Sequence, residues 1–224
     1  MRQSLFITIL FFFLGTASVY AADTHTLMWH TNTYTPPGFL GKPLPTKGST
    51  LTLSLQTSNQ SESFSRVFFA WYFNDVKLFE GMERSSLQTT VTQRPGIYQA
   101  KVFLRYPDGT PETITMPVKV IAPEILLIEE KNVLRAGKLS IYPGMLNFRA
   151  LPFFFNATSL FDLHFDWKIG DITSGGQSPE APYTATLTIP DNIPSGTQNS
   201  VEVYVQNLLN TREQASQSLL ITTL

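Results

Sequence analysis

Apolar and polar residues alternate with a period of two along most of the chain. Residues 50–56 read Thr-Leu-Thr-Leu-Ser-Leu-Gln, which places three leucines on one face and small polar side chains on the other. Residues 97–106 repeat the pattern, with Tyr98, Ala100, Val102 and Leu104 on one side. This period is typical of half-buried β-strands, whereas an amphipathic helix repeats about every 3.6 residues. Since no segment sustains the helical period, the pattern predicts an all-β protein.

The alternating segments are separated by turns, such as the Asp-Gly hairpin turn at residues 107–110. The predicted strands of the first half are residues 26–30, 50–56, a strand that carries Trp71, 76–79, 86–91, 97–106 and 113–121. The second half repeats the plan, with strands at residues 125–128, 145–151, 161–169, 183–189, 200–206 and 218–224. This number of strands in each half is expected for a β-sandwich.

One short motif occurs in each half. Residues 68–75 read Phe-Phe-Ala-Trp-Tyr-Phe-Asn-Asp, and residues 163–171 read Leu-His-Phe-Asp-Trp-Lys-Ile-Gly-Asp. Trp71 and Trp167 lie 96 positions apart, which is the length of one immunoglobulin-like sandwich with a core tryptophan. The motif therefore predicts two tandem immunoglobulin-like antiparallel β-sandwiches. Trp71 and Trp167, with Tyr98, are expected in the structural core.

The N-terminus predicts a signal peptide over residues 1–21. It combines a positive charge at Arg2, an apolar run over residues 5–14 and small residues suited to cleavage after Ala21. Cleavage after Ala22 is an alternative. An uncleaved anchor is another, although the run is shorter than the about 20 residues of a membrane span. We expect a protein exported to the periplasm, the cell surface or the medium, with no membrane insertion once the signal is removed.

Cleavage after Ala21 leaves 203 residues, enough for two domains of about 100 residues each. The last predicted strand of the first half runs almost directly into the first strand of the second, with Pro123 at the junction. The sequence therefore predicts one sandwich over residues 22–122 and another over residues 123–224. Because proline stiffens so short a junction, we expect an extended, semi-rigid tandem.

Composition excludes several classes of function. The formal net charge is −1 and no polybasic run occurs, so neither a nucleic acid nor an anionic membrane surface is an expected partner. The chain has no cysteine, which excludes disulfides, thiol catalysis and a lipid anchor on an N-terminal cysteine. A hydrophobic content of 42% is typical of a globular core.

Both tryptophan segments resemble the Trp-x-Phe-Gly-Asp stretch of PKD domains, an immunoglobulin-like family of extracellular modules. The first segment has Asn74 where the family has Gly, and the second has Ile169 where the family has Phe. Residues 94–102, Arg-Pro-Gly-Ile-Tyr-Gln-Ala-Lys-Val, resemble the family's Pro-Gly-x-Tyr-x-Val-x-Val strand, which the second half lacks. The resemblance implies a spacer or a contact surface for proteins or carbohydrates.

More narrowly, the chain after the signal resembles uncharacterised two-domain exported proteins of small-genome bacteria. The shared features are a tryptophan near the mature start, Thr-Tyr-x-Pro-Pro and Gly-Lys-x-Leu-Pro within residues 33–45, Pro-Glu at residues 123–124 and a Pro-(Tyr/Phe)-Phe-Phe corner at residues 152–155. No activity is assigned to that family, so the resemblance implies none.

Candidate catalytic and metal-binding residues are few. A nucleophilic site would need His25, His30 or His164 as its base, and the chain has no Gly-x-Ser-x-Gly elbow. It has no Asp-x-Asp-x-Asp-Gly calcium loop either. We therefore predict no catalytic residue, no metal site and no cofactor. One metal hypothesis stays open, because cleavage after Ala22 would expose Asp-Thr-His at residues 23–25, whose nitrogens suit square-planar copper or nickel.

Two irregular segments concentrate aromatic and apolar side chains. One is the loop of residues 34–45, with four prolines and two glycines, and the other is the Phe-Phe-Phe corner at residues 153–155. They either cap the sandwiches and fill the domain interface, or form a docking patch for an envelope protein or glycan. In the second interpretation the contact residues are Tyr34, Phe39, Leu40, Phe153, Phe154 and Phe155.

These observations favour a non-enzymatic exported envelope protein that acts as a spacer, an adhesion module or a protein or glycan interaction module. Two alternatives remain. A carbohydrate-active or other hydrolase would have its site at the domain junction, in a cleft lined by two close carboxylates and aromatic residues. A structural subunit of a surface assembly would instead pair its exposed edge strands with neighbouring copies.

Overall fold

The computed structural model describes residues 25–58, 64–129, 138–170, 174–177 and 180–224. Within these residues the chain forms fifteen β-strands and one short 3₁₀ turn, which confirms the predicted all-β class. The predicted signal peptide, residues 1–21, lies outside the described residues. In the described part of the chain, no helix has the length and apolar character needed to cross a membrane.

The first seven strands form two facing antiparallel sheets, ordered β1-β2-β5 and β4-β3-β6-β7. Their bounds are β1 His25–Thr31, β2 Thr50–Thr57, β3 Phe68–Phe73, β4 Val76–Met82, β5 Ser86–Thr90, β6 Gly96–Arg105 and β7 Pro111–Val120. This is the arrangement of an immunoglobulin-like sandwich, in which the chain passes back and forth between two packed antiparallel sheets.

The next eight strands form a second pair of sheets, ordered β12-β13-β10-β8 and β11-β14-β15-β9. Their bounds are β8 Glu124–Glu129, β9 Lys138–Ile141, β10 Gly144–Phe153, β11 Leu163–Ile169, β12 Ser174–Gln177, β13 Thr184–Ile189, β14 Gln198–Asn207 and β15 Gln214–Thr223. All neighbouring strands are antiparallel except β9 and β15, which are parallel.

Each predicted strand is confirmed, and two further strands were not predicted. Both β9 and β12 have only four residues, and Ser-Gly-Gly-Gln of β12 carries no apolar alternation. The strand predicted from residue 161 begins instead at Leu163, because residues Leu160–Asp162 form the 3₁₀ turn. Ser159 caps that turn, and its hydroxyl accepts a hydrogen bond from the Phe161 N–H.

Each pair of sheets encloses its own hydrophobic cluster. In the first sandwich the inner face of β3 contributes Phe69, Trp71 and Phe73, all buried. In the second sandwich the corresponding inner face of β11 contributes Phe165 and the half-buried Trp167. The predicted pattern of inward residues is therefore what brings each sheet against its partner.

Trp71 and Trp167 occupy equivalent places in the two sandwiches. Trp71 pairs with Val102 of β6, and Trp167 pairs with Val203 of β14. The Trp71 indole N–H donates to the carbonyl of Arg84 at 2.8 Å, two residues before β5. The Trp167 indole N–H donates at 2.9 Å to a carbonyl two residues before β13, and both bonds reach toward the facing sheet.

The two tryptophans differ in burial. Trp71 is fully buried, whereas Trp167 is half-buried. In the first sandwich β3 has β4 beside it at the edge of the sheet, whereas in the second sandwich β11 is itself the edge strand. Trp167 therefore lacks the neighbouring strand that helps to cover Trp71. Tyr98 of β6 packs against the first core, and its hydroxyl donates to the carbonyl of Arg94 at 2.8 Å. A tyrosine bonded to the main chain just upstream is a recurrent feature of immunoglobulin-like folds.

Candidate functional site

The proline-rich loop of residues 32–45 leaves the first sandwich after β1 and contacts the second sandwich. The Tyr34 N–H donates to the carbonyl of Phe155 at 2.7 Å, and the Phe154 N–H donates to the carbonyl of Tyr34 at 2.7 Å. The loop then returns, and Thr46 forms a parallel bridge with Ile121 at the end of β7. The two hydrogen bonds between Tyr34 and residues 154–155 are here called the main-chain clamp, and they join the two sandwiches directly.

Aromatic rings pack around the main-chain clamp. The Phe39 ring meets Phe153 and Phe154 edge-on, with centroids 5.5 and 6.0 Å apart. A Cβ at Gly41 would lie 2.4 Å from the Phe39 ring, so a larger residue there would displace this ring from its present position. Leu40, at the tip of the loop, is 100% exposed.

The predicted contact residues therefore separate into two groups. Phe154 and Phe155 are 8% and 0% exposed, and Phe155 belongs to the second core. This corrects the expectation that they face an outside partner, and their burial agrees with the alternative in which the aromatic segments fill the interface. The left-handed φ of 63° at Phe154 turns the chain at the corner, and both Phe154 and Phe155 end up buried. Tyr34 and Phe153 are half-buried, and Phe39 is 37% exposed.

Tyr34 is fixed by the packing of its side chain as well as by its main chain. Its side chain packs against the second core, and burial, followed by the nearby Tyr183, raises the pKa of Tyr34 above its ordinary value. Lys42, farther along the loop, turns back to the first sandwich, and its ammonium lies 3.5 Å from the Trp29 ring centroid. Burial lowers the pKa of Lys42. The loop is thus attached at both ends.

A buried carboxylate forms a second link between the sandwiches. Glu213 precedes β15 and accepts hydrogen bonds from three donors. The Asn156 N–H is 3.0 Å from both carboxylate oxygens, the Asn207 amide 2.6 Å from one oxygen, and the Thr46 hydroxyl 3.3 Å from the other. Asn156 and Asn207 belong to the second sandwich, whereas Thr46 belongs to the first. The Glu213 carboxylate therefore stabilises the turn before β15 and also links the two sandwiches.

Gly48 completes this link. The Asn156 side-chain amide donates to the Gly48 carbonyl at 3.0 Å. The Gly48 N–H itself donates to Val91 at 2.8 Å. Its φ of +94° is costly for any residue with a Cβ, and such a Cβ would lie within 4 Å of the Asn156 and Asn210 amides. Glycine at position 48 therefore allows the backbone conformation in which its carbonyl accepts the hydrogen bond from Asn156.

One side of the junction is an open hollow of about 390 Å³. Its charged lining residues are Lys47, Arg212 and Glu213, so among the described residues it presents one carboxylate, which the three donors already occupy. The hydrolase alternative called for two close carboxylates with aromatic residues in this position. The lining of the hollow does not supply that arrangement, and the aromatic residues lie in the packed contact instead.

The histidines take different places. The His25 side chain is 4% exposed, and its Nδ1 lies 3.0 Å from the Glu112 carboxylate, which also accepts a 2.6 Å bond from the Tyr106 hydroxyl. His164 is exposed on the outer side of β11, as its alternation with core residues indicates. Among the residues that the structure describes, no group of three His, Asp or Glu side chains is placed to hold a metal ion.

The copper or nickel hypothesis meets a competing contact. Its imidazole would come from His25, which is already buried against Glu112 and Tyr106. The other two residues of that predicted site, Asp23 and Thr24, lie outside the described residues. The N-terminus of β1 therefore uses its histidine to hold the strand against β7.

Sequence reasoning missed the polar half of the junction. Glu213, Asn207, Asn156 and Thr46 lie in segments that read as ordinary turns. Nothing local marks Glu213 as buried, because its donors come from residues up to 167 positions away. The aromatic half was visible in the sequence, since apolar residues crowd two irregular segments.

No family model matches the chain, and no curated protein matches it. Solved multidomain structures of other proteins align along most of the chain at low sequence identity. The three N-terminal domains of the highly immunogenic outer capsid protein (Hoc) of bacteriophage RB49 align with 90% of this chain and 59% of theirs, at 14% identity and a TM-score of 0.49. The fibronectin(III)-like modules of Clostridium thermocellum CbhA align with 88% of this chain and 94% of theirs, at 15% identity and a TM-score of 0.29. These neighbours carry no argument about function.

Proposed function

We propose that the chain is an exported, non-enzymatic, PKD-like two-domain module that holds two sandwiches in a fixed relation and binds a protein or glycan of the cell envelope. The observation that carries this proposal is the junction itself. The main-chain clamp at Tyr34 and the carboxylate link at Glu213 join the two sandwiches at separate points. Two separated points restrain both bending and twisting, which a single flexible linker does not.

The connection along the chain adds to this restraint. Only residues 121–123 separate β7 from β8, and Ile121 donates its N–H to the carbonyl of Pro45 at 3.0 Å. Pro123 further limits the backbone. A protein built in this way acts as a spacer of constant length and presents the outer faces of both sandwiches in one orientation.

Two carboxylates of the described residues are used in structural contacts, which supports a non-enzymatic role. Glu213 is used as an acceptor for the junction, and Glu112 as an acceptor for His25 and Tyr106. Both groups are engaged in structural contacts, and although Glu213 lines the hollow at the junction, its oxygens already accept hydrogen bonds from three protein donors. The chemistry of binding therefore belongs to the surfaces of the sandwiches.

The rigid arrangement is tested by small-angle scattering on the chain produced without residues 1–21. We expect one particle size and shape in low and high salt. A double variant, Tyr34→Pro with Glu213→Ala, removes the Tyr34 N–H and the carboxylate link and should broaden the distance distribution. Leu40→Ser serves as the matched control in the same loop. A wild-type profile that already requires a broad set of domain orientations would contradict the proposal.

Binding is tested by passing an envelope extract of the source organism over the immobilised chain. Retention of envelope protein or glycan is the expected result. A chain that retains neither, at low or at physiological salt, would not be an interaction module. In that case only the spacer part of the proposal would survive.

A further inference from the structure

The strand β3 is apolar on both of its faces. Its sequence is Phe-Phe-Ala-Trp-Tyr-Phe, and the inward residues form the first core. The outward residues are Phe68, Ala70 and Tyr72, and Phe68 and Tyr72 are half-exposed. A strand with one face in water normally alternates apolar and polar residues, whereas continuous apolar runs are typical of strands covered on both sides.

The second sandwich provides an internal comparison at the same position of the fold. The outward residues of β11 are His164, Asp166 and Lys168, all polar and exposed. β3 and β11 are equivalent, because Trp71 and Trp167 pair with corresponding valines of the adjacent strand. The apolar outer face of the first sandwich is therefore not required by the fold, since the second sandwich forms without one.

The apolar outer face extends across neighbouring strands. Met82 of β4 lies opposite Phe68, and Phe68 lies opposite Arg105 of β6. Tyr72 lies opposite Lys101 in the same way. The outer-face patch comprises Phe68, Tyr72, Met82, Lys101, Phe103 and Arg105. In the second sandwich, the positions equivalent to Lys101, Phe103 and Arg105 hold Glu202, Tyr204 and Gln206.

The outer-face patch has an excess positive charge at Arg105. Lys77 and Glu80 pair at 2.6 Å, and Lys101 pairs with Asp75 at 3.2 Å, so these charges compensate each other. Arg105 has no carboxylate partner among the described residues. Its guanidinium lies 5.7 Å from the Phe68 ring and 6.0 Å from the Phe103 ring, which orients it. An oriented arginine with free N–H groups suits a carboxylate.

We infer that the outer-face patch binds the surface of a protein that presents an acidic side chain beside an apolar centre. This inference rests on the proposed interaction module and names its surface and its class of partner. Half-buried Phe and Tyr with Met and Arg is the composition enriched at the centres of protein interfaces. Charge complementarity selects an acidic partner, and Arg105 is the group that meets it.

Two other occupants fit less well. A sugar stacks on a free aromatic face, but here Lys101 lies 4.8 Å over the Tyr72 ring and Arg105 lies over both phenylalanine rings. A second copy docked face to face would bring the Arg105 groups of both copies into one interface, where like charges repel. The acidic protein surface is the occupant that satisfies both the charge and the ring geometry.

The test uses the chain without residues 1–21, immobilised and exposed to an envelope extract of the source organism. The extract is used untreated, digested with protease, or oxidised with periodate to destroy glycans. The patch variants are Arg105→Glu and Phe103→Ser, and the matched controls in the second sandwich are Gln206→Glu and Tyr204→Ser. Arg105 is exposed, so its charge reversal leaves the fold intact, which near-ultraviolet circular dichroism verifies.

We expect protein to be retained from the untreated and the periodate-treated extracts and lost after protease digestion. Both patch variants should lower the retained amount by about tenfold or more, as hot-spot residues do, while both controls retain the wild-type amount. Retention should also decrease as salt is raised, since Arg105 meets an opposite charge.

The contrary outcomes are distinct. Retention that both patch variants leave unchanged would overturn the outer-face patch and leave the interaction module in place. Retention that survives protease and is lost after periodate would overturn the protein partner in favour of a glycan. Wild-type chain that retains nothing would overturn the interaction module and, with it, this inference. A concentration-dependent dimer that Arg105→Glu abolishes would show that a second copy occupies the patch.

Discussion

Replacing Glu213 by alanine removes the acceptor shared by three donors at the domain junction. Asn207 keeps a second bond, from its amide to the carbonyl of Asn156 at 2.9 Å. The Asn156 N–H and the Thr46 hydroxyl lose their acceptor. A buried donor left without an acceptor costs about 1–3 kcal/mol, so we expect Glu213→Ala to lower the free energy of unfolding by about 3 kcal/mol.

Glu213→Gln keeps the shape of the side chain and one acceptor oxygen. Its amide nitrogen would then face either the Asn207 amide or the Asn156 N–H, and two donors in contact repel. The Asn207 amide cannot turn around freely, because its oxygen accepts the Leu209 N–H at 2.9 Å. We therefore expect a smaller loss of about 1–2 kcal/mol.

Urea unfolding with calorimetry measures both variants against Glu202→Ala, an exposed glutamate of β14 whose removal should stay within about 0.5 kcal/mol. The contact across the junction is isolated by combining Glu213→Gln with Thr46→Val. A coupling energy of about 0.5 kcal/mol or more shows that the two side chains interact. If Glu213→Ala unfolds at the same urea concentration as Glu202→Ala, the carboxylate does not hold the junction and the reasoning fails.

Three further predictions follow from burial and titration. Trp71→Ala should lower the free energy of unfolding by about 3–5 kcal/mol, and Trp167→Ala should lower it by less because Trp167 is half-exposed. Equal losses in urea unfolding would contradict the assigned burial. Phe155→Ala should cost about 3–5 kcal/mol and Leu40→Ala within about 0.5 kcal/mol, so a large effect at Leu40 would mean that the loop tip is packed. The folded state raises the pKa of Tyr34 above its ordinary value of 10.0. The contribution of Tyr34 to the free energy of unfolding is therefore complete below pH 10.0 and is lost as pH rises through the folded-state pKa. Unfolding free energies measured from about pH 9 to pH 11 should fall less steeply in Tyr34→Phe, and parallel profiles would refute this assignment.

The strands were predictable because their signal is local. Alternation places Leu51, Leu53 and Leu55 on one face of β2, and the structure buries all three. The same argument predicted Val201, Val203 and Val205 of β14 correctly. The short strands β9 and β12 were not predicted, because four residues carry too little alternation and their pairing depends on distant neighbours.

The contacts of the aromatic segments were not predictable in the same way. Crowded apolar residues in irregular segments indicated an interface, but the sequence left open which side chains face a partner. The structure buries Phe155 and leaves Leu40 exposed, although both are large apolar residues in irregular segments. The choice depends on the main-chain clamp with Tyr34, which joins residues about 120 positions apart.

The sequence by itself determined the all-β class, the strand pattern and the paired tryptophans, since a period of two and the spacing of two motifs are properties of neighbouring residues. Only the tertiary structure decided that the proline-rich loop meets the second sandwich, that Glu213 is buried, and that β3 and β11 differ on their outer faces. Each of these depends on groups brought together from distant parts of the chain. A carboxylate in a turn has the same local sequence whether water or three protein donors surround it.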